Sequence, residues 1–205
     1  MLAQPLYLTA LTRRIDKAIG TQLLAVYLSG SAAVGAFRDG QSDLDVIVVV
    51  DTARPADMDA VVAGCRHSVL PCPASKLELV VYERAAAATP GASPRFSLNF
   101  DTGPGLHQVD LDPAEQPAHW FVLDLAFAHR HAIPLEGPPA AALIGDPGED
   151  AVRAAFEQAV AWYAEHEPGE PARIASLRAS HWERTGEFAS KAEVLAAGTK
   201  DPRSA

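Results

Sequence analysis

Two short segments constrain this chain more than any other part of it. A Gly30-Ser31 turn ends one apolar run, and Asp43-Leu44-Asp45 opens the next. Side chains at i and i+2 of a strand point to the same face, so Asp43 and Asp45 are expected to project together. Paired carboxylates suit Mg²⁺, which proteins usually hold through one or two carboxylates together with substrate phosphates. Gly30 permits close backbone approach to a ligand, and Ser31 stands where a helix would begin, a position that favours phosphate. The two segments therefore predict a magnesium and phosphate site.

Each of these features also has a plain structural explanation. Two acids at a strand start are often only solvated, and Gly-Ser is often a simple turn. Their order favours a ligand site, because the acidic strand begins twelve residues after Ser31. Glu78 lies inside a further apolar run, between Leu77 and Leu79. It is either a strand-edge acid facing solvent or a third carboxylate of the site, where it could take a proton from an attacking hydroxyl.

The composition limits the partners of the chain. The net charge is −9, with 17 basic and 26 acidic residues, which argues against a nucleic-acid surface built from clustered Lys and Arg. It is compatible with a cationic small substrate. Cys65 and Cys72 lack zinc-like spacing and are interpreted as free thiols. No apolar run approaches the roughly 18 residues that span a membrane, and the start has no basic leader region. We therefore expect a cytoplasmic protein without membrane contact.

The hydrophobic pattern predicts an α+β fold, in which a small mixed sheet with flanking helices is followed by an all-helical part. We expect a first domain over 1–115, a helical domain over 116–198 and a mobile tail over 199–205. In the first domain, helices are expected over 5–19 and 55–67, strands over 23–28, 43–50 and 75–82, a loop over 85–95, an edge strand over 96–100 and irregular chain over 106–115.

Four helices are expected in the second domain. Three of them run over 117–131, 150–166 and 171–186. The last is short and begins at a capping box formed by Ser190 and Glu193. Asp124 lies within the first of these helices, which is apolar almost all round, and is interpreted as a hydrogen-bonded structural acid.

One segment, together with the two aspartates that follow it, resembles a known family. The segment is Val26-Tyr27-Leu28-Ser29-Gly30-Ser31-Ala32-Ala33-Val34-Gly35. The order is similar to that of the polymerase-beta-like nucleotidyltransferases. Within that superfamily it resembles the bacterial aminoglycoside adenylyltransferases that inactivate streptomycin and spectinomycin. The resemblance is strongest over 23–50, clear over 75–82 and present again over 117–140 and 173–195. It implies an active site in the cleft between the two domains.

The resemblance also implies residue roles. Mg²⁺ would be held by Asp43 and Asp45, with ATP as co-substrate. Glu78 would be the catalytic base, because Leu-Glu-Leu matches the strand that carries the catalytic glutamate in the family. The residues that would bind the nucleotide are Gly30, Ser31, Arg178 and Lys191. Those that would bind a cationic acceptor are Trp162, Glu165 and Glu167, since rings stack on sugar faces and carboxylates pair with ammonium groups. The alternative for these three residues is a solvated helix end with an ordinary tryptophan.

Two departures from the family pattern concern the acceptor. The family usually has a tryptophan soon after the strand at 96–100, where this sequence continues Asp101-Thr102-Gly103. The family also continues with more helices, so a shortened helical domain or completion by a homodimer is expected. The predicted activity is transfer of AMP from ATP to a hydroxyl of an aminoglycoside or aminocyclitol. The alternatives are another acceptor, such as a protein side chain in the manner of antitoxin-type enzymes, and a non-catalytic nucleotide-binding remnant.

Overall fold

The fold is described by a computed structural model covering residues 3–198. Its strands are β1 (Leu23–Leu28), β2 (Leu44–Val50), β3 (Leu77–Glu83), β4 (Leu98–Gly103), β5 (Leu106–Asp110) and β6 (Ile133–Glu136). They form one sheet in the order β5-β4-β3-β2-β1-β6. The central strands β2 and β3 are parallel, and every other neighbouring pair is antiparallel. This mixed sheet confirms the predicted fold class.

The helices surround this sheet and continue beyond it. They are α1 (Ala3–Ile19), α2 (Gly30–Ala33), α3 (Pro55–Cys65), α4 (Arg84–Ala88), α5 (Ala118–His131), α6 (Glu149–His166), α7 (Glu170–Thr185) and α8 (Lys191–Gly198). The predicted capping box at the start of α8 is confirmed, because the Ser190 N–H donates to Glu193 Oε2 at 2.7 Å and the Glu193 N–H donates to Ser190 Oγ at 3.3 Å. Within residues 3–198, no helix combines the length and apolarity needed to cross a bilayer.

The strand alternation decides which side of the sheet each central residue faces. On β2, Val46 and Val48 pack in one core with α1 and α3. Ile47 and Val49 pack in a second core against α5, where Leu125 is fully buried. Each such side chain contributes roughly 1.5–3 kcal/mol through burial of its apolar surface. Because Asp45 has the parity of Ile47, its side chain is directed to the α5 side of the sheet.

Helix α5 joins the sheet to the helical part of the chain. One side of it packs on the sheet through Phe121 and Leu125, while Ala126 packs in a third core with Phe156 and Trp182 of α6 and α7. The chain also returns to the sheet after α5, because β6 pairs with β1. The division into domains at residue 115 stays a prediction, and the predicted mobile tail over 199–205 lies outside the described residues.

Several sequence predictions for the middle of the chain are wrong. Residues 85–88 belong to α4 and not to the loop expected over 85–95. They are four consecutive alanines, and alanine favours helix. The strand predicted at the sheet edge is β4, and it is an interior strand because β5 pairs with it. Strand β5 lies within residues 106–115, where irregular chain is expected from the sequence, and the sequence pattern does not predict β6. Both are largely exposed, so their backbone pairing leaves little alternation of apolar residues in the sequence.

Candidate functional site

Three carboxylates occupy adjacent strands on the α5 side of the sheet. Asp45 of β2 lies opposite Glu78 of β3 in the parallel register, and Glu78 lies opposite Asp101 of β4 in the antiparallel register. Neighbouring strands are about 4.8 Å apart, so side chains at these positions lie within contact of one another. The two carboxylates are close enough for the charge of Glu78 to raise the pKa of Asp45. The structure thus brings the predicted metal ligand Asp45 and the predicted base Glu78 together.

The Gly30 turn lies directly against Asp45. The Ser29 N–H donates to the Asp45 carbonyl oxygen at 2.8 Å. Gly30 has a φ of +58°, and a Cβ built there would lie 1.7 Å from Asp45 Oδ2. Only glycine adopts this conformation readily and leaves the carboxylate its place. Ser31 follows in the first turn of α2 and is half-buried. The two segments that the sequence singles out are therefore in contact.

Asp43 stands just before β2, beside the start of β3. Its Oδ1 accepts a short hydrogen bond from the Ser75 hydroxyl, and the Ser75 N–H donates to the Ser42 carbonyl oxygen at 3.2 Å. The Asp43 carboxylate therefore has a fixed neighbour on the adjacent chain segment. Its charge also reaches Asp45, where it contributes to the raised pKa of that carboxyl group.

Asp45 is surrounded by more negative than positive charge. Burial raises the pKa of Asp45 well above its usual value, and the charges of Glu78, Asp124 and Asp43 raise it further. Among residues 3–198, no group of three or more His, Cys, Asp or Glu side chains has the geometry of a metal cluster. Mg²⁺ needs only one or two protein carboxylates when phosphates supply other ligands. The donor set at Asp43 and Asp45, with its excess of negative charge, fits such an ion.

A lysine that the sequence analysis did not single out joins this group. The Lys76 Nζ contacts Glu78 Oε1 and donates to Asp101 Oδ2 at 2.9 Å. Burial lowers the pKa of the Lys76 ammonium, but the two carboxylates outweigh burial, and the net shift is upward. Lys76 is half-buried, with a side chain 27% exposed. The sequence offers one sign of this contact, since a basic residue two positions before Glu78 lies on the same face of the strand. The pairing of Lys76 with Asp101, however, depends on the register of β4 against β3.

The helical part supplies the facing wall. Asp124 of α5 and Arg178 of α7 both have access to solvent. The surrounding protein nevertheless desolvates Asp124 and raises its pKa to about 7, and the charge of Glu78 is the second cause of that rise. Desolvation likewise lowers the pKa of Arg178, against the charges of Tyr163, Asp124 and Asp45. Asp124 therefore belongs electrostatically to the carboxylate group of the sheet, since the charge of Glu78 acts on it. Its interpretation as a hydrogen-bonded structural acid stays a prediction.

The remaining predicted site residues lie farther along the helical part. The Lys191 Nζ is paired with Glu170 Oε1 at 2.6 Å, and both side chains are exposed. Trp162 belongs to an aromatic cluster, stacked on His166 at 4.6 Å between ring centroids and edge-on to Trp120 at 5.0 Å. Glu165 and Glu167 are exposed. The roles predicted for these residues stay predictions.

Two concave regions lie elsewhere on the surface. One, of about 280 Å³, is between α6 and α7 beside Phe156 and Trp182. The other, of about 590 Å³, is at the far ends of β2 and β3, beside Met58 and Phe96. Neither region is lined by Asp45, Glu78, Asp101 or Asp124. The candidate site therefore rests on the carboxylates of the adjacent strands and not on a cavity.

The comparisons with known proteins bear on the fold. No protein-family model matches the sequence, and no curated protein matches it either. Among solved structures, the chain is similar to spectinomycin adenyltransferase AAD(9) from Enterococcus faecialis, a structure with ATP and spectinomycin. The TM-score is 0.71 at 17% sequence identity, over 97% of this chain and 84% of that one. The likeness confirms, at the level of fold, the resemblance noted in the sequence: this chain has the fold of a spectinomycin adenyltransferase.

Proposed function

We propose that this protein is a nucleotidyltransferase of the aminoglycoside adenylyltransferase family. It transfers AMP from ATP to a hydroxyl of a cationic aminoglycoside or aminocyclitol. The observation that carries the proposal is the Asp45–Glu78 pair on adjacent strands beneath the Gly30 turn. The similar solved structure contains ATP and spectinomycin, which supports the substrate classes.

The nucleotide would lie between the sheet and the helices. Asp43 and Asp45 would hold Mg²⁺, which neutralises charge on the phosphates when it is bound. Gly30 and Ser31 lie beside Asp45, and their backbone would contact the phosphates. Arg178 reaches the same region from α7, within electrostatic range of Asp45, and a guanidinium is suited to bidentate phosphate contact. Lys191 would add a further cation after leaving Glu170.

Glu78 would act as the general base. Its carboxylate lies beside Asp45, and so would face a nucleotide held there. Glu78 takes the proton of the acceptor hydroxyl while the acceptor oxygen forms its bond to the α-phosphorus. The bond from that phosphorus to the bridging oxygen breaks, and pyrophosphate leaves with the bonding electrons. AMP then remains on the acceptor.

The charge of the cleft supports a cationic acceptor. Its acidic side chains are those of Asp43, Asp45, Glu78, Asp101 and Asp124, and its basic ones are those of Lys76 and Arg178. The cleft thus keeps an excess of negative charge that attracts ammonium groups. Trp162, Glu165 and Glu167 would extend this surface along α6.

Pyrophosphate release from ATP tests the proposal. Purified protein with Mg²⁺ is offered a panel of aminoglycosides and aminocyclitols, and the product is identified by mass spectrometry. We expect Glu78→Gln to lower the rate by about 10²–10⁴-fold, which is the usual contribution of a general base. Glu83→Gln is the matched control, because Glu83 lies on the same strand but accepts a hydrogen bond from the Ala53 N–H at 2.9 Å, away from the site.

The outcomes separate the parts of the proposal. Wild-type turnover that survives Glu78→Gln contradicts the assignment of the base. AMP transfer that depends on Glu78 but reaches only a protein or an uncharged molecule contradicts the acceptor class and leaves the transferase. Absence of ATP binding in the presence of Mg²⁺ contradicts the transferase itself.

A further inference from the structure

Lys76 forms an ion pair with Asp101 and also contacts Glu78, the proposed base. We propose that Lys76, held in place by Asp101, is a positioning residue that fixes the orientation of the Glu78 carboxylate. The inference rests on the proposed function for its catalytic consequence, but not for its structural claim. Neither residue belongs to the set of site residues that the family resemblance implies.

The backbone places Lys76 firmly. Its carbonyl oxygen accepts from the Leu44 N–H at 2.9 Å, which continues the β2–β3 ladder by one residue. Lys76 is two positions before Glu78, so both side chains are on the same side of the sheet. A Cβ built on Gly103 of β4 would lie 3.1 Å from Lys76 Cβ. The backbone of β4 therefore lies against the stem of the lysine and limits where its ammonium can go.

Asp101 completes the placement. Its Oδ2 accepts from the Lys76 Nζ at 2.9 Å, and its side chain is only 20% exposed. A half-buried ion pair is screened less than one on an open surface. Asp101 is in register with Glu78 across β3 and β4, so the ammonium is held between two carboxylates. Asp101 thus acts on Glu78 through Lys76.

Glu78 needs this support because its one ion pair within residues 3–198 is the contact with Lys76. Its side chain is 35% exposed and has several rotatable bonds. Its other charged neighbours, Asp45, Asp101 and Asp124, repel it when the carboxylates are ionised. Loss of the Lys76 contact would leave the carboxylate free to turn away from the acceptor hydroxyl. Misplacement of a reacting group by about 1 Å can cost about 10²-fold in rate.

The first measurement does not depend on turnover. The ¹⁵N NMR signal of the Lys76 side-chain ammonium is recorded in the full chain, since an ammonium held by two carboxylates exchanges its protons slowly. We expect a resolved signal in the wild type that shifts or broadens in Asp101→Asn and in Glu78→Gln. Asp51→Asn is the matched control, because Asp51 pairs with Arg84 at the far ends of β2 and β3. A Lys76 signal that Asp101→Asn leaves unchanged overturns the inference, even in a protein without activity.

The second measurement is kinetic. We expect Lys76→Met and Asp101→Asn each to lower kcat by about ten- to hundredfold, with the KM for ATP and for the acceptor changed less than about threefold. The double variant should be no slower than Lys76→Met alone, and Lys76→Arg should recover part of the rate. Arg84→Met should leave kcat unchanged. A raised acceptor KM at constant kcat, or additive losses in the double variant, would overturn the positioning role while leaving the transferase intact.

Discussion

Replacing Gly30 by alanine tests whether the turn and Asp45 form one site. The new Cβ would lie 1.7 Å from Asp45 Oδ2 and 2.5 Å from its Cγ. Both distances are far inside van der Waals contact, so the carboxylate must leave its position. Because the same carboxylate is the proposed Mg²⁺ ligand, the substitution removes a ligand without changing any charge in the site.

The stability cost of this change can be worked from the backbone. Gly30 has a φ of +58°, and a residue with a Cβ pays roughly 1–2 kcal/mol in that left-handed region. For a chain of this size, about 1 kcal/mol lowers Tm by roughly 2–4 °C. Gly35 is the matched control, because its φ is +71° but no atom lies within 4 Å of its built Cβ. Gly35→Ala therefore has the same backbone cost without the clash.

Two assays separate the clash from the backbone cost. Urea unfolding should show that Gly35→Ala loses roughly 1–2 kcal/mol of folding free energy and that Gly30→Ala loses at least as much. Calorimetric titration with ATP and Mg²⁺ should show that only Gly30→Ala loses metal-dependent binding, and pyrophosphate release should follow. If Gly30→Ala binds the nucleotide like the wild type, or if Gly35→Ala loses binding equally, Gly30 does not act through Asp45.

Two further predictions concern the α5 side of the sheet. Leu125→Ala should cost about 2–5 kcal/mol of folding free energy in urea unfolding because Leu125 is fully buried. Leu6→Ala is the control, since this side chain is 72% exposed, and it should change the folding free energy by less than about 0.5 kcal/mol. Equal effects of the two substitutions would contradict the packing. Asp124 has a folded pKa raised to about 7 by burial and then by the charge of Glu78, above an unfolded value of about 3.9. In EDTA, the wild type should therefore lose stability as pH rises between those values, and Asp124→Asn should flatten that slope; identical slopes would refute the shift.

The part of the site that could be predicted is the part encoded within single strands. The alternation of Asp43, Leu44 and Asp45 predicts that the two aspartates share one face of the strand. The position of Glu78 between apolar neighbours predicts a carboxylate on a strand of the sheet. The same period of two explains why Val46 and Val48 pack on α1 and α3 while Asp45 faces α5. These inferences needed no knowledge of which strands are neighbours.

The rest depends on pairing that no local pattern contains. Lys76, Glu78 and Asp101 meet only because β3 and β4 pair in one register, and a shift by one residue would turn Asp101 to the opposite face. The sequence predicts an edge strand that ends at residue 100, before Asp101, since the exposed partner β5 has no clear apolar alternation. Lys191 shows the same limit, because its contact with Glu170 joins the starts of two different helices.

The charges of the cleft explain why such a register-dependent contact matters. Asp45 and Glu78 must be adjacent if a metal-bound nucleotide and an attacking hydroxyl are to meet, and adjacent carboxylates repel each other when both are ionised. Lys76 reduces that repulsion on the Glu78 side, where its ammonium pairs with both Glu78 and Asp101. Within residues 3–198, Asp45 forms no salt bridge of its own, and Arg178 acts on it only through its charge. That is the condition under which Asp45 offers its oxygens to an incoming divalent ion.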